Sequence, residues 1–205
     1  MTVCGNQLAM WSEKALLPSL GLWLALIWLT VAGCTPRLAP ALPGNLVLQP
    51  GRYLTAVWRD PAFEAARAAY AIQPFTVETA QGVSPQDFQA ILQQELLRAW
   101  EANGLKLSPP EDAVLSGTVQ YVDLSGTSFR FLIGRISARL LVSGLITRGG
   151  EPVFAFQDRL QVSSPIQPGP AAPLEKDLLL HDAARTLAVH LLNELLLYGL
   201  PEEGR

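Results

Sequence analysis

The feature that most constrains this chain is an uncharged apolar run over residues 15–33, which ends directly at Cys34. A run of this length is able to span a bilayer as a helix, so a permanent membrane anchor is one interpretation. Pro18 and Gly21 interrupt the run and small residues close it, which favours a cleaved export signal over residues 1–33. Cleavage there removes 33 of the 205 residues, and the remaining 172 are enough to bury a core without disulfides or metal ions.

The residues Val31, Ala32 and Gly33, which precede Cys34, resemble the lipobox of bacterial lipoproteins. The resemblance implies that a signal peptidase recognises residues 31–33 and that Cys34 then carries a diacylglycerol and an acyl chain. Several acyl chains together hold a protein stably, so membrane attachment through this lipid is expected. Thr35 follows where an Asp would indicate retention in the inner membrane, which favours the periplasmic face of the outer membrane.

Charge and cysteine content exclude several classes of protein. The net charge of −3 gives no basic surface for nucleic acid. Both cysteines, Cys4 and Cys34, lie at or before the cleavage site, so no internal disulfide is expected. The common hydrolase, zinc, redox and phosphate-binding motifs do not occur, and we therefore expect neither an enzyme nor a cofactor or metal besides the lipid.

The chain after Cys34 divides into a tether, one domain and a short tail. Residues 34–51 hold the lipidated cysteine and a segment with four prolines and two glycines, which is typical of a semi-extended linker. A single α+β periplasmic domain is expected over residues 52–200, and residues 201–205 form the tail.

Hydrophobic periodicity predicts a mostly antiparallel sheet with two long helices packed on one face. Ser84 and Pro85 are typical of a helix start, and Asn103 with Gly104 is typical of a helix end. The predicted elements are strands at 52–58, 69–77, 113–124, 135–147 and 153–162, and helices at 84–103 and 174–198. One or two helical turns over residues 61–67, an edge position or bulge at Pro74 and a hairpin turn at residues 148–151 complete the prediction.

Two finer predictions concern the strand over residues 113–124. Its alternation places Leu115, Val119 and Tyr121 on one face. Gly117, like Gly144 in the next strand, interrupts a run of strand residues and is interpreted as a bulge or turn.

Residues 114–157 resemble an uncharacterised group of bacterial outer-membrane lipoproteins. The resemblance lies in strands with the patterns Gly-x-Val and Val-Phe-x-Phe and in the arginine-containing connector between them. The chain is also distantly similar to the curli-secretion lipoprotein and to lipoprotein activators of penicillin-binding proteins. The shared features are a strand that ends in Pro-Phe, here Pro74-Phe75, a helix stripe that contains Leu92 and Leu96, and a glycine after that helix, here Gly104. The resemblance covers about residues 69–198 and implies a fold more than an activity. The long hairpins of a secretion pore are not evident, so we expect no pore.

Few residues are candidates for chemistry. His181 and His190 lie nine residues apart on one predicted helix, on opposite sides, so they cannot share a metal ion and are interpreted as surface or helix-flank residues. Asp123 and Asp158 could face each other as paired carboxylates, although turns and salt bridges are the commoner use of such residues.

The connector over residues 128–135 is the sharpest candidate for binding, with Phe129, Arg130, Phe131 and Arg135 as the contact residues. It either packs over the end of the sheet or contacts a protein, since arginine and aromatic residues are enriched at interfaces. The sequence thus predicts a non-catalytic binding or assembly module with an envelope protein partner. The alternative is an auxiliary lipoprotein of an ABC-type lipid-transport system, which would need an apolar ligand groove.

Overall fold

A computed structural model describes residues 42–44, 46–107, 112–125, 135–165 and 172–197. The described residues all belong to one compact unit. The predicted signal peptide, Cys34 and the tail over residues 201–205 lie outside the described residues. Cleavage and lipidation therefore stay predictions.

The described strands are β1 Ala56–Arg59, β2 Tyr70–Ile72, β3 Thr76–Val77, β4 Ala80–Gln81, β5 Ala113–Ser125, β6 Arg135–Arg148 and β7 Glu151–Pro165. They form one mixed sheet in the order β1-β7-β6-β5-β2, and β3 and β4 also pair with β5. Each neighbouring pair of strands from β1 through β7 and β6 to β5 is antiparallel, which confirms the mostly antiparallel α+β prediction.

One edge of the sheet is parallel, which the sequence did not predict. The short strands β2, β3 and β4 each pair parallel with β5. A long helix separates them from β5 in sequence, and such a crossover returns the chain in the same direction. Pro74 separates β2 from β3, so the predicted run over residues 69–77 is two short strands. The edge position predicted from Pro74 is confirmed.

Two long helices, α1 (Pro85–Ala102) and α2 (Ala172–Leu197), pack on one face of the sheet and on each other. The Ser84 hydroxyl accepts a hydrogen bond from the Asp87 backbone N–H at 3.4 Å, and Gly104 follows the helix with φ of 69°. Both predicted helix ends are therefore confirmed. Neither helix in the described part of the chain is long and apolar enough to cross a membrane.

A bulge in β5 changes which residues face the helices. Val119 pairs with Val142 and Tyr121 pairs with the preceding residue of β6, so Gln120 has no counterpart. After this extra residue Val122, which is fully buried, takes the core face, and Tyr121 lies on the other face. The prediction that Tyr121 shares the face of Val119 is therefore wrong.

The two strand glycines are neither bulges nor turns. Gly117 of β5 and Gly144 of β6 lie directly opposite each other in the regular ladder. The rings of Phe75 and Phe156, both buried, occupy the space where their side chains would be. The glycine pair thus makes room for two aromatic rings in the core between sheet and helices.

Candidate functional site

The predicted contact residues lie mostly outside the described residues. Phe129, Arg130 and Phe131 fall in the gap between β5 and β6. Arg135 begins β6, where its backbone is opposite Pro165 of β7. Among the described residues, three carboxylates are almost completely buried, and they lie in two separate clusters.

These carboxylates are Glu95 on α1, Asp158 on β7 and Glu194 on α2, and each residue is at most 2% exposed. A buried carboxylate is costly unless hydrogen bonds satisfy its oxygens. Each of the three has such partners, and two of them bind the segment that follows the tether. We call Asp158 and Glu194, together with that bound segment of residues 51–55, the carboxylate clamp.

Asp158 points from the middle of β7 towards α2. Its Oδ1 accepts hydrogen bonds from the Thr55 backbone N–H at 3.1 Å, the Thr55 hydroxyl at 2.9 Å and the Arg159 backbone N–H at 2.9 Å. Its Oδ2 lies 3.0 Å from Nδ1 of His190 on α2. Asp158 therefore joins the start of β1, the edge of β7 and the second helix.

Glu194 lies one helical turn after His190 and continues the same contact. Its Oε2 accepts hydrogen bonds from the Tyr53 backbone N–H at 2.7 Å and the Leu54 backbone N–H at 3.2 Å. A Cβ at Gly51 would lie 2.6 Å from the Leu54 carbonyl oxygen and 3.0 Å from Glu194 Oε2, so only glycine fits there. The clamp thus fastens the entry of the chain into the domain.

A second cluster lies between the two helices. Glu95 Oε1 is 3.0 Å from His181 Nδ1 and 3.3 Å from Arg98, and its Oε2 accepts from Arg185 Nε at 3.3 Å. Burial raises the pKa of Glu95, but the hydrogen bonds from His181 and Arg185 and the charges of Arg185 and Arg98 together hold it below its ordinary value. The cluster is a salt-bridged contact between α1 and α2.

This lowered pKa gives a prediction for stability. A carboxyl group whose pKa is lower in the folded state stabilises the fold above its unfolded value of about 4.5, and this contribution disappears as the pH falls through the folded value. We expect Glu95→Gln to lower the free energy of unfolding near neutral pH by about 1–2 kcal/mol. We also expect the variant to lose less stability than the native protein on acidification.

Urea unfolding between about pH 6 and pH 3 measures both effects. Glu101→Gln is the matched control, because Glu101 is exposed on the same helix and should leave the curve unchanged. An identical pH dependence in the native protein and in Glu95→Gln would refute the role of this cluster.

The structure shows the partners of the two histidines and tests the proposed carboxylate pair. His181 and His190 are half-buried and each contacts a buried carboxylate, so neither is a plain surface residue. Asp123 and Asp158 lie on opposite faces of the sheet, since Asp123 is opposite the exposed Arg139 whereas Asp158 faces α2. These two acids therefore do not form a carboxylate pair.

Several buried polar side chains of the described residues hydrogen-bond within the fold. Within the described ranges, no three side chains of His, Cys, Asp or Glu are placed to hold a metal ion. On the outer face, partial burial and then the neighbouring Asp123 carboxylate raise the pKa of Tyr121. In the core, burial raises the pKa of Tyr70, whose hydroxyl donates to the Ala65 carbonyl oxygen at 2.8 Å.

Comparison with known proteins gives structural neighbours only. No protein-family model matches the chain, and no curated protein matches it in sequence. Among solved structures it is similar to the protein XCC0632 from Xanthomonas campestris (11% identity, 68% of this chain and 90% of that one, TM-score 0.48). It is also similar to a minor lipoprotein from Acinetobacter baumannii (16%, 58% and 90%, 0.42) and to rare lipoprotein B from Shewanella oneidensis (13%, 57% and 90%, 0.39). Bacterial lipoproteins thus recur among the structures that resemble this chain at low identity.

Proposed function

We propose that this chain is a lipid-anchored lipoprotein of the bacterial cell envelope whose α+β domain acts as a non-catalytic binding or assembly module. The observation that carries the proposal is the sequence Val31-Ala32-Gly33-Cys34 at the end of an apolar run, followed by a proline-rich tether. Thr35 after the cysteine supports the periplasmic face of the outer membrane as its location.

The clamp supports this arrangement. A tethered module needs a firm junction between linker and domain, and Asp158 and Glu194 bind three successive residues at that junction, Tyr53 to Thr55. Asp158 Oδ1 and Glu194 Oε2 accept hydrogen bonds from backbone N–H groups of the domain itself, and Asp158 Oδ2 lies 3.0 Å from Nδ1 of His190. This use of the acidic side chains supports a structural role for them and a domain that acts through binding rather than catalysis.

The test is fractionation combined with in-cell crosslinking of the tagged protein, native and Cys34→Ala. We expect the native protein in the membrane fraction, with a discrete crosslinked envelope partner, and both results lost or strongly reduced in Cys34→Ala. A Cys34→Ala protein that stays on the membrane as fully as the native one would refute the lipid anchor. A native protein that is anchored but crosslinks to nothing would refute the binding role.

The lipid-transport alternative is less well supported. It needs an apolar groove for a ligand, whereas Trp100, Phe88 and Phe154 are all buried in the described core.

A further inference from the structure

Helix α2 carries most of the large apolar side chains that the described domain leaves exposed, four of five. Leu178 is 61% exposed and Val189 is 45% exposed. Leu187, which lies half a turn around the helix from Leu178, is fully buried in the core. The exposed side of α2 thus faces away from the sheet. A group of exposed apolar residues on one element marks an interaction site.

The exposed side of α2 has a pattern that is symmetric from end to end. Four exposed residues form it, in the order Leu178, Asp182, Arg185 and Val189. They follow one another at spacings of four, three and four residues, which place them along one face of the helix, as in the contact seams of paired helices. We call these four residues the α2 seam. It has an apolar residue at each end and two opposite charges between them, so it is complementary to itself when reversed.

The two charged residues of the α2 seam have groups that a partner could bind. Among the described residues, the Asp182 carboxylate makes no hydrogen bond or ion pair, and it lies on the exposed side of the helix. Arg185 donates through Nε to Glu95 at 3.3 Å, and its side chain is 55% exposed. The Nη1 and Nη2 groups of Arg185 carry further N–H donors. This arrangement favours a partner that presents the same two charges in reverse order.

We propose that the α2 seam pairs antiparallel with the α2 seam of a second copy of the chain, about a two-fold axis midway between Asp182 and Arg185. In this register Leu178 packs on Val189 of the second copy, and Asp182 lies opposite Arg185 of the second copy. Each contact occurs twice because the pairing is symmetric. The apolar contacts supply most of the binding free energy, since charge pairs that stay in water contribute little.

The charges fix the direction of the pairing and the kind of partner. Two parallel copies would place Asp182 beside Asp182 and Arg185 beside Arg185, whereas the antiparallel register brings each acid to a base. A membrane surface is a poorer partner for this helix. α2 carries four acids and two bases, whereas a helix that lies on anionic lipid is rich in lysine and arginine.

Two cysteine variants of the full chain, produced together in one cell, test the register. Leu178→Cys and Val189→Cys each carry a different tag, and the unfractionated lysate is treated with a copper catalyst of thiol oxidation. Residues opposite each other on paired helices have Cα atoms about 6 Å apart, within the range of a disulfide. Leu178 lies about 16 Å along the helix from its own copy. We therefore expect the doubly tagged dimer to exceed each singly tagged dimer about tenfold on a non-reducing gel.

The native chain, treated in the same way, shows what Cys4 and Cys34 contribute. A doubly tagged dimer no more abundant than the singly tagged ones would overturn the antiparallel register. Engineered thiols that react with maleimide but give only monomer, or only an adduct with a different protein, would overturn the pairing with a second copy. Thiols that are shielded from a water-soluble maleimide without forming any dimer would place the seam on the membrane, and would overturn it as well.

Leu178→Glu supplies a second measurement, which is the mass of the extracted protein. Because Leu178 is exposed in a single copy, glutamate there should leave the unfolding transition of the monomer in place while reducing dimer to monomer. Leu197→Glu is the matched control, since Leu197 is also exposed on α2 but lies outside the seam, and it should stay dimeric. Equal masses for the two variants would overturn the proposal. None of these outcomes bears on the lipid anchor, which fractionation tests separately.

Discussion

Gly117→Val is expected to destabilise the domain by about 3 kcal/mol, because the site has no room for a side chain. A Cβ at residue 117 would lie 2.6 Å from the Ser143 carbonyl oxygen and 2.7 Å from Cδ2 of Phe75. The first atom belongs to the backbone of the paired strand, and the second to a ring that is 1% exposed. Neither can move without breaking the sheet or displacing the core. The free energy of unfolding in urea, compared between native protein and variant, measures the effect.

Gly44→Val is the matched control for this prediction. A Cβ at Gly44 would have no heavy atom within 4 Å, and the residue has no positive φ, so valine there should change the free energy of unfolding by less than about 0.5 kcal/mol. If Gly117→Val unfolded at the same urea concentration as Gly44→Val, the packing of Phe75 on this glycine would be disproved.

Asp158→Ala is expected to cost about 3–4 kcal/mol and to release the entry segment from the domain. The substitution removes the acceptor of the Thr55 hydroxyl and of the Thr55 and Arg159 N–H groups, and it leaves His190 without its carboxylate. We expect faster tryptic cleavage after Arg52, together with a lower midpoint of unfolding. Asp158→Asn keeps an oxygen for the N–H groups, so its loss should be about half as large.

Asp182→Ala controls for the loss of an acid in general. Asp182 is exposed on α2, and its change should leave both the unfolding midpoint and the rate of cleavage after Arg52 unchanged. Cleavage of Asp158→Ala at the native rate would mean that the clamp does not hold the entry segment.

The parts of the fold that the sequence predicted are those with local causes. Ser84 and Gly104 mark the ends of α1 through contacts within a few residues, and the Gly149-Gly150 turn has the positive φ angles that a tight hairpin requires. The bulge at Gln120 depends on how β5 meets β6, and nothing in the alternation of β5 reveals it. The parallel pairing of β2 with β5 depends on the path of the chain through α1.

The candidate site divides in the same way. The lipobox is a motif of four adjacent residues and is readable without a structure. The clamp joins residues more than a hundred positions apart, such as Tyr53 and Glu194, so no spacing reveals it. One signal was present: Glu95 and Glu194 each interrupt a leucine-rich stretch of an amphipathic helix. An acid in such a position needs a partner, so the sequence indicates that Glu95 and Glu194 are bonded but does not reveal to which residues.

The bridge between Gln49 and Val57 has a mechanical consequence. Its two hydrogen bonds, at 2.7 Å and 2.8 Å, close the loop of residues 50–56. Tension that arrives at Gln49 passes directly to Val57 in β1 and from there into β7, so the loop carries no load while the bridge is intact. Asp158 and Glu194 bear force only after the bridge opens, and they then resist at several amides together. Under tension we therefore expect the junction to open in two steps, first at the bridge and then at the clamp.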